Sequence, residues 1–321
     1  MSARATTPAS RLRSNQRRRN HKKITEHLNG AARFRPWWVP WLWVILPVVV
    51  VISFYILPFL KTFITSFTDT GVLAPIAEFT GLANYIEIFS RAEFWEAVRN
   101  NVLYALIVVP LMVFLPLLLA LLVKDHIPGI GFFRAIYYMP AITSLVVITI
   151  AWRYLLESGG PINRLLLNLG LISEAVPFLS NKWAILFCAM IITLWQGLPY
   201  YMILYLATLA NVDRSLYEAA ELDGANAFRR FWTVTVPGVK IMMYLVGVLC
   251  TIGSLKIFTE VYLLGGANSP TETITMYIRG QFTDVTFGHV GQADAASVFL
   301  FLFTLGFILA SQYLQKKAEN Q

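Results

Sequence analysis

The sequence predicts an all-α integral membrane protein that crosses the bilayer about six times. Hydrophobic residues make up 57% of the 321-residue chain and charged residues only 14%, whereas a soluble domain carries about 25% charged residues. A soluble core also stops growing near ~250–300 residues, so this much apolar surface needs an apolar solvent. Long runs without Asp, Glu, Lys or Arg point the same way, because about 20 apolar residues cross the hydrocarbon core.

Five charge-free runs and one nearly charge-free segment define the predicted spans. The run at 135–152 reaches membrane length if its helix continues to Leu156. The segment at 241–264 is apolar except for Lys256 and Glu260. The predicted spans are 39–60, 97–123, 133–156, 183–209, 239–264 and 295–315, within a transmembrane domain at 36–321.

A basic N-terminal segment sets the predicted orientation. Ten of the 26 Lys and Arg residues lie in residues 1–35, and segments rich in Lys and Arg stay in the cytoplasm. With six spans, 18 basic residues fall on that side of the membrane and seven on the other. We therefore expect a disordered basic tail at 1–35 that rests on membrane lipid, and both termini in the cytoplasm. The tail has a single aromatic residue and no fold signal, so we expect no nucleic-acid partner.

The segment between the first two spans has an amphipathic pattern. Tyr85, Ile88, Phe89, Trp95 and Val98 recur at roughly helical spacing. We interpret 84–99 as a short helix that lies on the membrane or touches a partner.

The chain shows no motif for catalysis or metal binding. Its two cysteines, Cys188 and Cys250, lie inside apolar spans, and its four histidines lack ligand spacing. No Gly-x-x-x-x-Gly-Lys-[Ser/Thr] phosphate loop is present. We expect no cofactor on this chain, no metal, no catalytic residues and no ATPase site of its own.

The loop at 211–237 is predicted to fold as two helices. Asp213 can cap a first helix that runs to about Asp223. Gly224 then occupies the position where a left-handed residue ends a helix. Asn226 can cap the second helix.

The second helix of this loop is predicted to be apolar along one side. Phe228, Phe231 and Trp232 are spaced i, i+3 and i+4, which places them in one stripe. Pro237 either ends this helix or joins it to the fifth span.

The first helix of the loop is predicted to suit a protein partner. Ala219 and Ala220 leave one face small, so another protein can approach closely. Glu218, Glu221 and Asp223 offer acceptors to basic groups on that partner. A rigid loop without a partner remains the alternative on these residues alone.

The loop also resembles the signature of permease subunits of binding-protein-dependent ABC importers, Glu-Ala-Ala-x-x-Asp-Gly-Ala followed by Phe and Pro. The matching residues are Glu218, Ala219, Ala220, Asp223, Gly224 and Ala225, then Phe231 and Pro237. The resemblance implies a type I ABC importer permease fold. It also implies that this cytoplasmic loop is a coupling helix, which docks in a cleft of an ATPase.

Further segments are similar to the sugar permeases of the maltose, lactose and glycerol-phosphate type, and to the first of their two paired subunits. These segments are 81–85, 133–140, 160–163 and 256–266. The resemblance implies a bacterial cell membrane location and a heterodimer with a second, homologous permease. It further implies two cytoplasmic ATPase subunits that use ATP and Mg, and an extracytoplasmic sugar-binding protein.

Polar residues in the fourth and fifth spans are candidates for a substrate path. Trp195 could stack on a sugar ring and Gln196 could bond its hydroxyls, although a membrane Trp can simply pack. Lys256 and Glu260 are four residues apart and share a predicted helix face, and Ser254 is a further candidate. The charged pair indicates either a polar translocation route or an intrahelical pair that snorkels near the outer end.

The expected function is the transmembrane permease subunit of an ATP-driven carbohydrate importer. A permease for another solute class would contain the same coupling loop and is one alternative. An ion-coupled secondary transporter fits the spans but not the loop. A membrane enzyme has no supporting constellation of residues.

Overall fold

The structure, a computed structural model, describes residues 38–71, 78–124, 129–266, 269–283 and 289–319. The predicted basic tail at 1–35 lies outside these residues. The chain divides into two compact units, one that ends at Lys61 and one that begins at Thr62.

Helices account for most of the described residues. A two-residue antiparallel hairpin, β1 (Thr68–Asp69) and β2 (Glu78–Phe79), is the single sheet in the described part of the chain. In chain order the helices are α1 (Val39–Thr65), α2 (Ala83–Ser90), α3 (Ala92–Val123), α4 (Ile130–Ile142), α5 (Leu145–Leu156), α6 (Pro161–Asn168), α7 (Lys182–Leu209), α8 (Arg214–Leu222), α9 (Ala227–Arg230), α10 (Val236–Leu255), α11 (Thr259–Gly265), α12 (Ile274–Thr283) and α13 (Val290–Glu319).

Five helical segments in the described ranges are long and apolar enough to cross a membrane, and a sixth is counted if α4 and α5 form one bent span. These numbers confirm the predicted all-α, multi-pass membrane protein. The five are Val39–Thr65, Ala92–Val123, Lys182–Leu209, Ala227–Gly265 and Val290–Tyr313.

The third span is not the continuous helix predicted at 133–156. Helices α4 and α5 meet at a bend of 100°, and Thr143 and Ser144 between them have extended backbone. Pro140 in the last turn of α4 lacks an amide hydrogen, which weakens the helix there. The carbonyl of Thr143 accepts a hydrogen bond from Gln196 Nε2 at 3.2 Å, so the bend is satisfied by a side chain of α7.

The predicted surface helix at 84–99 is also wrong. The chain is extended at Arg91, which separates α2 from α3. Ile88 and Val98 are buried and pack in a cluster with Tyr277 of α12 and residues of α13. Phe89 and Trp95 are exposed, so the apolar residues of the pattern are divided between the protein core and the surface.

The main core lies where α3 runs between α7 and α10. Its largest fully buried side chains include Tyr104 from α3 and Tyr205 and Ile192 from α7, and Val246 from α10 packs with them. These three helices therefore form the frame that holds the polar groups described below.

Candidate functional site

Two regions carry the candidate function: the exposed loop at 211–237 and a polar cavity among the spans. In the loop, Asp213 Oδ1 accepts a hydrogen bond from the amide of Ser215 at 2.9 Å, which lowers the pKa of the Asp213 carboxyl. Gly224 has a φ of 75° and follows α8. Asn226 Oδ1 accepts from the amide of Arg229 at 2.9 Å. Each predicted cap is confirmed.

The outer surface of the loop is both apolar and acidic. Leu222 is 90% exposed and Phe228 is 73% exposed, which is a high exposure for large apolar side chains. Two of the predicted carboxylates, Glu218 and Glu221, lie within 3.5 Å of Arg214 and 3.1 Å of Arg230 respectively, while Asp223 is exposed. Of the two alanines, Ala219 is exposed and Ala220 is partly buried.

The end of the loop continues into the fifth span without a break. Helix α9 passes through a π-helical turn, Phe231–Thr235, into α10, and Pro237 lies in the first turn of α10. Pro237 thus joins the two helices. The predicted aromatic stripe forms, because the Trp232 ring lies 5.2 Å from that of Phe231 and 6.3 Å from that of Phe228.

Tyr217 attaches the first loop helix to the spans. Its hydroxyl lies 3.0 Å from Thr235 Oγ1 at the start of the fifth span. The ammonium group of Lys124, just beyond α3, lies 5.0 Å from the centre of the Tyr217 ring. A displacement of α8 would therefore act directly on the ends of two spans.

The cavity has a volume of about 280 Å³ and lies between α3, the end of α4, α7 and α10. Gln196 and Ser254, two of the predicted residues, contribute to its wall. Thr193, Tyr200 and Tyr201 add hydroxyl groups. The cavity therefore offers hydrogen bonds among apolar walls, as small-molecule sites commonly do.

A chain of hydrogen bonds connects the cavity wall to a buried carboxylate. The Tyr104 hydroxyl donates to Thr193 Oγ1 at 2.6 Å, and the Thr193 hydroxyl donates to Glu260 Oε1 at 2.7 Å. Glu260 is 5% exposed and lies in the first turn of α11, where the helix dipole favours a negative charge. Glu260 thus supports the wall from behind rather than lining it.

The break between α10 and α11 is held by side chains from other helices. The buried amide of Asn101 donates to the carbonyl of Leu255 at 2.7 Å and accepts from the amide of Ile274 at 3.0 Å. The hydroxyl of Thr273 donates to the carbonyl of Ile257 at 3.1 Å. Buried backbone groups that leave a helix require such partners.

This break overturns one prediction. Lys256 and Glu260 do not share a helix face, because α10 ends at Leu255 before α11 begins. Lys256 forms no ion pair with Glu260 or with any other described residue, and it lies against α12 and α13 instead.

The prediction for Trp195 finds no support in the cavity wall. Its ring is 42% exposed and packs edge-on against Trp152 with centroids 5.9 Å apart, so it lies outside the cavity.

Sequence reasoning missed Asn101, Tyr104 and Thr193. The signal that could have found Asn101 is an amide side chain at the start of an otherwise apolar span.

Buried polar contacts within the spans, a polar cavity and an exposed helical loop define a membrane transport protein. The chain matches the family described as "Binding-protein-dependent transport system inner membrane component" over residues 79–320. It belongs to this family. No group of three or more His, Cys, Asp or Glu residues that could hold a metal occurs in the described ranges.

Similar proteins include two named transport permeases. The lactose transport system permease protein LacF of Rhizobium radiobacter is 33% identical over 74% of this chain and 81% of its own length. The trehalose/maltose transport system permease protein MalF of Thermococcus litoralis is 30% identical over 89% of this chain and 96% of its own length.

A solved structure has the same fold. A chain of a bacterial ABC transporter involved in the import of the acidic polysaccharide alginate superposes with a TM-score of 0.75. The superposition covers 87% of this chain and 96% of that chain at 20% sequence identity. The predicted type I importer permease fold is confirmed.

Proposed function

We propose that this chain is the permease subunit of an ATP-driven, binding-protein-dependent importer of sugars or related carbohydrates. The observation that carries the proposal is the direct connection between the exposed loop and the cavity. From Ala227 to Leu255 the chain is helical apart from one π turn, a length of about 40 Å at ~1.5 Å per residue. One end of this rod is the loop, and the other end contributes Cys250 and Ser254 to the cavity wall.

This rod supports a mechanism of alternating access. Closure of partner ATPase subunits would push the loop, and the loop would move α10 and α3 through Tyr217, Thr235 and Lys124. The cavity wall would then open alternately to the two sides of the membrane. The energy would come from ATP and Mg bound by the partner subunits, with no ATPase site on this chain.

Two observations favour carbohydrates as the cargo. The relatives named above carry lactose and trehalose/maltose in their names. None of the described residues that line the cavity is charged, and its polar groups are hydroxyls, an amide and a thiol. Neutral polyols match such a wall better than ions or amino acids do, because a charged cargo would need opposite charges in a dry site. A permease for another neutral solute is the second candidate.

The proposed assembly contains this chain, a second homologous permease, two cytoplasmic ATPase subunits and an extracytoplasmic sugar-binding protein. The proposed orientation, with both termini and the 211–237 loop in the cytoplasm of a bacterial cell membrane, follows from the excess of Lys and Arg on that side. The coupling residues would be Glu218, Ala219, Ala220, Asp223, Gly224 and Ala225.

The test is ATPase stimulation and uptake by the reconstituted importer, with a panel of sugars and candidate binding proteins. Glu218→Lys should leave the amount of protein in the membrane unchanged, because Glu218 is exposed and its ion pair with Arg214 is solvated. Stimulated ATPase and uptake should fall about tenfold or more, the loss expected from one disrupted interfacial charge contact. Glu174→Lys, an exposed charge reversal outside the loop, is the matched control.

Full transport by both Glu218→Lys and Gly224→Pro would refute the coupling mechanism. Uptake that survives ATP depletion but stops when an ion gradient collapses would favour a secondary transporter instead. Stimulation by amino acids but by no sugar would retain the importer and correct its cargo.

A further inference from the structure

A second groove, on another face of the fifth span, is mostly apolar but contains one lysine side chain. It lies between α10, α12 and α13 and has a volume of about 340 Å³. Lys256 is the one charged residue among the described residues that line it. The cavity residues Cys250 and Ser254 point to the other side of α10, so this groove is a separate feature.

The ammonium group of Lys256 has no partner among the described residues. The side chain is exposed, and no described acceptor lies within hydrogen-bond or ion-pair distance. The two hydroxyls of the groove, Ser297 and Thr304, donate to the carbonyls of Ala293 and Leu300 within α13 at 2.9 and 2.7 Å. A lysine facing lipid costs roughly 2.5–3.5 kcal/mol at the bilayer centre, so it needs an anionic partner or the membrane boundary.

Lys256 follows the last residue of α10, at the end of that helix farther from the 211–237 loop. The carbonyl of its neighbour Leu255 is bonded by Asn101. Asn101 follows Arg99 by two residues, and the Arg99 guanidinium lies 5.7 Å from the centre of the Trp183 ring. Arg and Trp together are typical of the interface between lipid and water.

The groove has the length of one lipid leaflet. Lys256 and Ser297 both line the groove. From there the groove follows α13 to Ile308, about 16 Å at ~1.5 Å per residue. The hydrocarbon core is ~30 Å thick, so each leaflet contributes about half of it.

We propose that this groove binds an anionic phospholipid, with its phosphate on Lys256 and one acyl chain along α13. The charge complementarity is direct, since Lys and phosphate pair at the headgroup level. A helix of a second protein is the other occupant to consider, and cross-linking to the second permease distinguishes it from a lipid. Specific lipid occupancy would also stabilise the break at 256–258 on its outer side.

The experiment is native mass spectrometry of the full chain in its purified importer complex, titrated with phosphatidylglycerol. Lys256→Gln should bind the first lipid about fivefold more weakly, the loss that corresponds to one surface lysine at ~1 kcal/mol. Lys256→Arg should bind as the wild type does. Arg164→Gln, which removes an exposed cation from α6, should also leave the affinity unchanged.

A second variant tests the contribution of the acyl chain to lipid affinity while the charge of Lys256 is kept. Ser297→Phe fills the Lys256 end of the groove and keeps the lysine, and it should lower lipid affinity while gel filtration still shows an intact complex. Equal lipid affinity in the wild type, Lys256→Gln and Ser297→Phe would overturn the proposal. Cross-linking of Leu305→Cys to the second permease in membranes would also overturn it, because a protein would then occupy the groove. None of these outcomes depends on which sugar is transported.

Discussion

The 211–237 loop and the break at 256–258 lie at the two ends of one helical rod, yet their structures have different origins. In the loop, the caps are bonds between residues two or three positions apart, as in Asp213 to Ser215 and Asn226 to Arg229. At the break, Asn101 bonds Leu255 across 154 positions of sequence. The comparison teaches that the loop, which we propose receives the motion of the ATPase, is encoded by its local sequence, while the part that holds the cavity depends on the tertiary structure.

The largest loss of stability should come from removing the Asn101 hydrogen bonds that hold the break at 256–258. Asn101→Leu keeps the number and branching of the side-chain heavy atoms but leaves the Leu255 carbonyl and the Ile274 amide buried without their Asn101 partner. Each unsatisfied group costs about 1–3 kcal/mol, so we expect a loss of about 2–5 kcal/mol in the free energy of unfolding. Thermal unfolding of the purified protein measures it.

Asn211→Leu is the matched control, because the Asn211 side chain is exposed and donates to the carbonyl of Ala207 in the preceding helix, α7. It should change stability by less than about 0.5 kcal/mol. Equal unfolding temperatures for the two variants would show that the break does not depend on Asn101.

A smaller loss of stability is expected when the hydrogen-bond chain from Tyr104 through Thr193 to Glu260 is broken. Thr193→Val removes the donor to Glu260 and the acceptor for Tyr104 without a large change in volume. Tyr104 keeps a hydrogen bond to the Ala189 carbonyl at 3.3 Å, but the buried Glu260 carboxyl loses its donor from Thr193, which should cost about 1–3 kcal/mol. The control is Thr208→Val on the same helix, whose hydroxyl bonds only the carbonyl of Leu204, and a similar loss in both variants would contradict the role of the chain.

The smallest effect on global stability should come from the loop. Gly224 has a φ of 75°, whereas Gly131 has no positive φ, and an added Cβ would meet nothing within 4 Å at either position. Gly224→Ala should therefore cost about 1–2 kcal/mol through backbone strain alone, and Gly131→Ala should not. Hydrogen exchange should show faster opening of α8 in Gly224→Ala with unchanged protection of α3, and unchanged exchange in α8 would contradict the local origin of the loop.

The same contrast explains what the sequence could predict. Capping residues, Gly224 and the charge-free runs act through neighbours in sequence, so the spans and both loop helices could be predicted. The bend at Thr143 and the break after Leu255 could not, because they depend on amide and hydroxyl groups supplied by distant helices. For the same reason Lys256 and Glu260, four residues apart, were wrongly placed on one helix face.

The most direct test of the central claim is sided labelling of Leu222→Cys, at the most exposed apolar residue of the loop. A membrane-impermeant maleimide should label this cysteine in inside-out vesicles but not in right-side-out vesicles, and bound ATPase subunits should block the labelling. Labelling from the outer side, or unchanged labelling when the ATPase subunits are bound, would contradict the proposal that this loop receives the force of a nucleotide-driven motor.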